Sequence, residues 1–307
     1  MKKLFSIIIP VYGNEENLPI TIPYMIDNLK IFEEFDVEII MVCDGSPDKS
    51  WDVMKELKKT YPNILRIYKL ATNSYRQIAT AAGMSKARGE VIGVISADMQ
   101  DPFELFADML KVWENGHKMV IARRIKRTDP GIGWVFSNAL HRFMKRIDNR
   151  YPEGGFDFFV MDSSLAFDYC QRITKNGFMP LVLLGLYDRP IFIDYERKAR
   201  EVGKSGYSFG RKLHTAMTTF VIETDKIFYW FIYGGLSIDI LSILTGIIIM
   251  IFLKEVAIGI TVLLLGFIGG VIVSLLGLVG FAVYNWAVNL RGLPKYKIEK
   301  EGIESDE

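Results

Sequence analysis

Cysteine and histidine are scarce in this chain: two cysteines, Cys43 and Cys170, and three histidines among 307 residues. That excludes a disulfide framework and leaves no Cys/His spacing of the zinc-binding kind, so buried free thiols in a reduced compartment are expected. Net charge is nearly absent as well, with 37 basic against 36 acidic residues. No global field draws a polyanion, and no nucleic-acid partner is expected. A Walker phosphate loop is missing, because Gly203-Lys204-Ser205 lacks the upstream glycine spacing. The amino terminus, Met1-Lys2-Lys3 before Leu4–Ile9, imitates a signal peptide, but its apolar run is short and stops at Pro10. Locally, charge is almost missing from two long runs, Tyr229–Leu253, where Asp239 is the exception, and Val256–Leu290. Each exceeds the roughly 20 residues that a helix needs to span a bilayer.

What is there is organised around Val91-Ile92-Gly93-Val94-Ile95-Ser96-Ala97-Asp98-Met99-Gln100-Asp101-Pro102, a short apolar run that ends in oxygen-bearing side chains and then a proline. A continuous apolar run of this kind fits a parallel strand covered on both faces. In open α/β sheets ligands gather beyond the carboxyl ends of such strands. Asp98, Gln100 and Asp101 fall there, and hard oxygen donors suit Mg²⁺ or Mn²⁺ holding a phosphate. The same Asp101-Pro102 pair reads equally as the cap of a helix beginning near Phe103.

Upstream, Leu4–Pro10 reads as a strand whose following loop, Val11 to Glu16, enters a helix from Asn17 to Ile31. Tyr12 in that loop is either a base-stacking side chain or a turn tyrosine packed on its own helix. Val37–Val42 is a second strand, followed by Cys43-Asp44-Gly45-Ser46-Pro47-Asp48-Lys49-Ser50 and a helix over Trp51–Thr60. Asp44 is placed to accept from a base or ribose, whereas Ser46, Asp48 and Ser50 also read as turn formers and an N-cap. A third strand at Ile64–Leu70, a small-residue helix at Ile78–Ala87, a helix at Phe103–Glu114 and a strand at Lys118–Ala122 continue the alternation. Strands alternating with helices predict βαβ units and a mostly parallel sheet, with the loops after Pro10, Val42 and Ser96 on one edge.

Directly after the Lys118–Ala122 strand comes the densest basic cluster, Arg123-Arg124-Ile125-Lys126-Arg127, either a set of forked phosphate donors or a solvated loop. A basic helix is expected around Val135–Arg150. The glycine turn Gly154-Gly155 then leads into a short strand and presents Asp157, and one more strand is expected at Ile191–Glu196. The run from Arg200 to Ser208 is glycine-rich and basic, the composition of a loop closing over an anion. Phe209–Tyr229 mixes basic and apolar residues as an interfacial amphipathic helix does.

The two charge-poor runs predict a helical hairpin turning at Lys254-Glu255, with Trp230, Tyr233, Tyr284 and Trp286 suited to the interfaces. Gly266, Gly269, Gly270, Gly277 and Gly280 offer close-packing surface, which makes a homo-oligomer (a tetramer) an expectation. Asp239 is an ionisable group inside the first span, expected to face the other helix, a neighbouring subunit or a wet interface. Basic residues flank both ends of the hairpin, which places both termini in the cytoplasm. The tail Ile298–Glu307 is short and charged and is expected to be disordered.

With these residues in place, the chain resembles the membrane-anchored glycosyltransferases of family 2, in particular the polyprenyl-phosphate glycosyltransferases that include dolichol-phosphate mannose synthases and bactoprenol glucosyltransferases. Pro10-Val11-Tyr12 with Glu15-Glu16-Asn17-Leu18 is similar to the family's opening nucleotide motif, and Cys43-Asp44-Gly45-Ser46 to its Asp-Asp-Gly-Ser turn. Ala97-Asp98-Met99-Gln100-Asp101-Pro102 resembles the metal motif, and Arg200 to Tyr207 the lid. The order of these motifs ahead of a two-helix hairpin carries the resemblance.

The resemblance implies a GT-A (Rossmann-like) catalytic domain over residues 1–207 with a lid at 198–207. A juxtamembrane helix at 208–228, two transmembrane helices at 229–253 and 256–284 within 229–290, and a cytoplasmic tail at 291–307 would follow. It implies inverting transfer of a sugar from a nucleotide-diphosphate sugar to a polyprenyl phosphate at the cytoplasmic membrane face. Another glycolipid or polysaccharide acceptor, or a non-catalytic binding scaffold, is the alternative. Pro10, Tyr12, Glu15, Asp44 and Ser96 would bind the nucleotide, and Asp98 with Gln100 would bind Mg²⁺ or Mn²⁺. Arg124, helped by Arg127, would hold the acceptor phosphate, Asp157 would position sugar or acceptor, and Arg200, Lys204, Ser205 and Tyr207 would form the lid. Departures from the pattern are Cys43 and Ser96 in place of the motifs' first aspartates, Gly13-Asn14, Phe159 and Gly206. One carboxylate fewer predicts weaker metal binding, or a metal held largely by substrate phosphates.

Overall fold

The computed structural model describes residues 2–126, 142, 144–146, 148–152, 155–174, 177–197, 226–289 and 298–301. They fall into two units, a sheet domain that includes the strand at 298–301 and a helical hairpin.

In the sheet domain the apolar runs become strands β1 (Lys3–Val11), β2 (Phe35–Cys43), β3 (Leu65–Leu70) and β4 (Val91–Val94). Between them lie α1 (Leu18–Asp27), α2 (Ser50–Thr60) and α3 (Arg76–Met84), and α4 (Leu105–Glu114) follows β4. Strand β5 (Met119–Lys126) comes next. Beyond it are β6 (Phe159–Asp162), α5 (Ser163–Arg172), α6 (Met179–Leu186), β7 (Ile191–Glu196) and, after the hairpin, β8 (Ile298–Glu301).

These strands form one sheet in the order β7-β5-β6-β4-β1-β2-β3-β8. Strands β1 to β4 run parallel, and β7 runs parallel to β5. Strand β6 is antiparallel to both β4 and β5, and β8 is antiparallel to β3. The chain winds from β1 outward to β3 and returns to β4 on the other side of β1, so a crevice opens at the carboxyl ends of β1 and β4.

Both faces are covered, as the unbroken apolar strands require. On one face Leu18, Ile22, Met54, Phe106 and Met109 pack against the sheet; on the other, residues of α3, α5 and α6 do so. Two glycines set the spacing. A Cβ on Gly83 of α3 would lie 2.5 Å from Ile8 Cγ2, and one on Gly93 of β4 would lie 2.5 Å from Phe106 Cε1. Phe106 therefore reaches the middle of the sheet, edge-on to Phe158 with ring centroids 4.7 Å apart.

Several expectations change. Strand β5 continues through Lys126, so Arg123 and Arg124 belong to the strand rather than to a loop beyond it. The short strand expected after the Gly154-Gly155 turn, with Asp157 at its start, begins only at Phe159, which leaves Asp157 just ahead of it. The tail is ordered over Ile298–Glu301, where it pairs with the otherwise open edge of β3. Helices α5 and α6 had no counterpart in the sequence reading. Most of the basic helix around Val135–Arg150 lies outside the described residues, although Arg142 and Met144–Arg146 are helical.

The hairpin consists of α7 (Lys226–Ile248), continued by a π-helical turn at Ile249–Leu253, and α8 (Val256–Asn289). Lys254 takes left-handed backbone angles, φ 56°, and makes the turn. Phe228–Leu253 and Val256–Tyr284 are both long and apolar enough to cross a membrane. Glycines let the two helices touch. A Cβ on Gly277 would lie 2.8 Å from Phe228 O, and one on Gly246 would lie 2.9 Å from Gly259 O. Gly266 is filled by Ser242 and Gly270 by the buried Asp239 carboxylate. Asp239 thus faces the other helix, and most of the glycines expected to serve a partner are spent within the hairpin.

Candidate active site

The loops after β1 and β2 are laced together. Ser46 Oγ accepts from the Gly13 N–H at 2.8 Å, Ser50 Oγ from the Asn14 N–H at 3.0 Å, and Asp48 Oδ2 from the Glu15 N–H at 3.1 Å. In return the Lys49 N–H donates to Glu15 Oε2 at 2.8 Å, next to the first turn of α2. Partial burial pushes the Asp48 carboxyl up, and hydrogen bonds from Ser46, Ser50 and the Glu15 backbone outweigh that and hold it below the usual range. Ser46, Asp48 and Ser50 are therefore turn-builders, and Glu15 is a clasp between the loops.

Above that clasp, Asp44 is buried, and its Oδ1 accepts the Ser74 N–H at 2.6 Å. The loop after β3 is thereby tied to the end of β2. Gly45 makes the approach possible: its φ is +57°, and a Cβ there would lie 2.5 Å from Asn73 N. Pro10 is paired with Val42 in the last turn of β1, and Tyr12 is exposed beside it. Cys43 points the other way, into the core, where burial pushes its thiol up. Its replacement of an aspartate leaves the site side of the turn to Asp44.

Across the crevice a chain of carboxylates and guanidinium groups closes the edge. The Ser96 hydroxyl donates to Asp101 Oδ2 at 2.8 Å, and the Tyr195 hydroxyl donates to Asp101 Oδ1 at 2.5 Å. Arg124 Nε donates to Tyr195 Oη at 3.0 Å, and Arg124 Nη2 donates to Asp157 Oδ1. The other Asp157 oxygen accepts from Arg76 Nη1 at 2.6 Å. Arg197 completes the set, with Nε 3.4 Å from Asp101 Oδ1 and Nη2 3.9 Å from Asp98 Oδ2. Burial, and then the neighbouring Asp101 charge, push the Tyr195 phenol well up, so it stays protonated and donating.

The strand geometry explains which arginine arrives. Arg123 and Arg124 lie opposite Asp194 and Tyr195 in the β5/β7 register. Successive strand residues face opposite sides. Arg123 accordingly pairs with Asp194 on the exposed side, while Arg124 turns inward. Asp157 is delivered by β6, whose antiparallel course makes it start at the edge where β4 ends.

Asp98 is buried at that edge, with Oδ1 3.4 Å from the Gln100 N–H. Met99 between them has φ 55°, a left-handed turn that a non-glycine residue adopts only at a cost. Among the described residues no group of three or more His, Cys, Asp or Glu surrounds a common point. The buried carboxylates of Asp98 and Asp101, which both flank the Arg197 guanidinium, fit a divalent ion that draws its remaining oxygens from Gln100 and a bound phosphate.

The structure thus brings Pro10, Tyr12, Glu15, Asp44, Ser96, Asp98, Gln100, Arg124 and Asp157 to one edge of the sheet. Arg127, Arg200, Lys204, Ser205 and Tyr207, and the lid and juxtamembrane segment through residue 225, lie outside the described residues. Arg76, Tyr195 and Arg197 were missed. Arg76 opens α3 and Arg197 follows β7, so the signal that could have found them is an arginine at a carboxyl-edge loop.

A three-layer α/β domain with a 3-2-1-4 parallel core and an inserted antiparallel strand has the layout of a GT-A-like domain. Residues 6–171 match glycosyl transferase family 2, and the chain belongs to that family and is a glycosyltransferase. It is 29% identical over 283 residues to the uncharacterized glycosyltransferase YkcC of Bacillus subtilis, covering 86% of this chain and 87% of that one. A prophage bactoprenol glucosyl transferase homolog of Escherichia coli is 25% identical over 308 residues, 96% of this chain and 98% of that one. Undecaprenyl-phosphate 4-deoxy-4-formamido-L-arabinose transferase of Photorhabdus laumondii is 26% identical over 307 residues, 97% and 94% of the two chains. Among solved structures, glucosyl-3-phosphoglycerate synthase of Mycobacterium tuberculosis with Mn²⁺, uridine diphosphate and glucosyl-3-phosphoglycerate shares the fold. Its TM-score is 0.51 at 12% identity, covering 71% of this chain and 78% of that one.

Proposed function

We propose that this protein transfers a sugar from a nucleotide-diphosphate sugar to a polyprenyl phosphate at the cytoplasmic face of a membrane, with inversion at the anomeric carbon. The observation that carries the reading is the edge where the buried Asp98 and Asp101 and the partly buried Asp157 meet Arg76, Arg124 and Arg197, in a family 2 domain whose chain also holds two membrane-length helices. The polyprenyl-phosphate transferases among its full-length relatives support the acceptor class.

In this reading Asp44 accepts from the base or ribose, Tyr12 lies against the base, and Pro10, Glu15 and Ser96 shape the pocket through the contacts described above. Asp98 and Gln100 would hold Mg²⁺ or Mn²⁺, which when bound neutralises the leaving diphosphate. Ser96 supports the weak-ligand version, because its hydroxyl is committed to Asp101. Arg124 offers the acceptor phosphate a fork already oriented by Tyr195 and Asp157. A phosphate oxygen is ionised at neutral pH, so the nucleophile needs no strong general base and the protein supplies alignment and charge stabilisation.

The test is turnover. Purified protein in lipid or detergent, with Mn²⁺ or Mg²⁺, polyprenyl phosphate and a panel of nucleotide sugars, is expected to give a glycosyl-phospholipid with one donor. A panel that yields no glycolipid, or a glycosylated product only with a non-phosphate acceptor, would reject the reading.

A further inference from the structure

Arg197 stands one residue beyond β7 and aims its guanidinium at two carboxylates whose side chains are only 7% (Asp98) and 1% (Asp101) exposed. Its distances to them are longer than good hydrogen bonds, and its Nε is buried with no hydrogen-bond partner. The cation is held there by charge rather than by a fitted fork. Asp101, by contrast, already takes two well-made bonds from Ser96 and Tyr195. Buried carboxylates without a counter-charge are costly, and among the described residues Arg197 is the cation ion-paired to both.

We propose that Arg197 is the place-holding counter-cation of the divalent-metal site. It neutralises Asp98 and Asp101 while no metal is bound and must give way when one enters, since two cations a few ångströms apart repel. The diphosphate that accompanies the metal gives the displaced guanidinium a new anion to pair with. Metal alone then binds weakly, and metal with nucleotide binds well. The proposal rests on the metal-dependent transferase reading above and adds to it an order of events and a residue.

Competition sets the size of the effect. A cation within about 4–6 Å of a carboxylate weakens its hold on a proton by roughly 10- to 1000-fold, and it opposes another cation in the same way. Removing the Arg197 charge should therefore tighten Mn²⁺ binding by at least about tenfold.

The experiment uses the full-length protein in detergent with Mn²⁺ alone, free ion being read by electron paramagnetic resonance. Arg197→Gln is expected to bind Mn²⁺ at least about tenfold more tightly than wild type, Arg197→Lys to bind like wild type, and Asp98→Asn to lose the site. Equal or weaker binding by Arg197→Gln overturns the proposal, as does Mn²⁺ binding that survives Asp98→Asn. Wild type provides a readout that needs no folded variant: phenylglyoxal labelling of Arg197, followed by mass spectrometry, should rise when saturating Mn²⁺ is added. Unchanged or reduced labelling overturns the proposal. If wild type binds no Mn²⁺ even with a nucleoside diphosphate, the metal reading fails and the proposal falls with it. Tight nucleotide-dependent Mn²⁺ binding that is indifferent to Arg197 leaves the transferase reading standing and removes only the proposal.

Discussion

Arg124 and Asp157 are 33 residues apart in the chain and form a nearly buried ion pair, Nη2 to Oδ1. The contact joins β5 to a residue two positions ahead of β6, so the antiparallel insertion and the arginine strand are fixed to each other at the site. Arg76 binds the second oxygen of the same carboxylate.

That sharing makes the pair a unit. Asp157→Ala leaves Arg124 without its charge partner and should cost on the order of 3 kcal/mol of stability, along with most of the transferase activity. The double variant Asp157→Ala/Arg124→Ala should be less destabilised than the sum of the singles, with a coupling of about 0.5–3 kcal/mol. Denaturant unfolding of the four proteins gives the coupling directly, and strict additivity would show the contact to be energetically idle.

Asp98→Asn removes the carboxylate charge nearest the place where a metal diphosphate would lie. Transfer is expected to fall by about 10²–10³-fold while the melting temperature changes little, because Arg197 can turn toward Asp101. A loss of activity matched by a collapse in melting temperature would mark Asp98 as a folding residue instead.

At the opposite end of the strands, Glu38 is buried and accepts from Ser6 Oγ at 2.7 Å, the Arg88 N–H at 2.8 Å and Arg66 Nη1 at 3.0 Å. Burial pushes its carboxyl up, and these bonds more than reverse that, leaving it below its ordinary 4.5. A depressed carboxyl stabilises the fold fully above its unfolded pKa, and the contribution fades as pH falls through the lower folded value. Glu38→Gln should therefore cost about 1–3 kcal/mol at pH 7. The gap from wild type should shrink on acidification below about pH 4.5. A gap that stays constant with pH would contradict the assignment.

In the hairpin, the Asp239 carboxylate occupies the space that a Cβ on Gly270 would need. Gly270→Ala should force the helices apart at a cost of about 1–3 kcal/mol, and Asp239→Ala should relieve only the part due to the carboxylate, because the Gly235 carbonyl oxygen would also lie 2.6 Å from the new Cβ. Thermal unfolding of the detergent-solubilised single and double variants tests this, and a double variant no better than Gly270→Ala would show that the two residues do not meet.

The alternating apolar runs of β1 to β4, the motif order Tyr12, Asp44, Asp98 and the two charge-poor stretches were legible in the chain. Burial on both faces of a parallel strand, placement of its terminal residues at the sheet edge and helical satisfaction of backbone in a membrane are local or pattern-level demands that a sequence displays. Four things were settled only by tertiary structure. Antiparallel pairing of β6 brought Asp157 to the edge where β4 ends, and the β5/β7 register separated Arg124 from Arg123, because face and register depend on a partner strand far away in sequence. The loops after β3 and β7 delivered Arg76 and Arg197 to carboxylates whose positions no local pattern encodes. Strand β8 formed in a charged tail whose composition reads as disorder, because the unpaired edge of β3 supplied the hydrogen bonds that the tail alone could not.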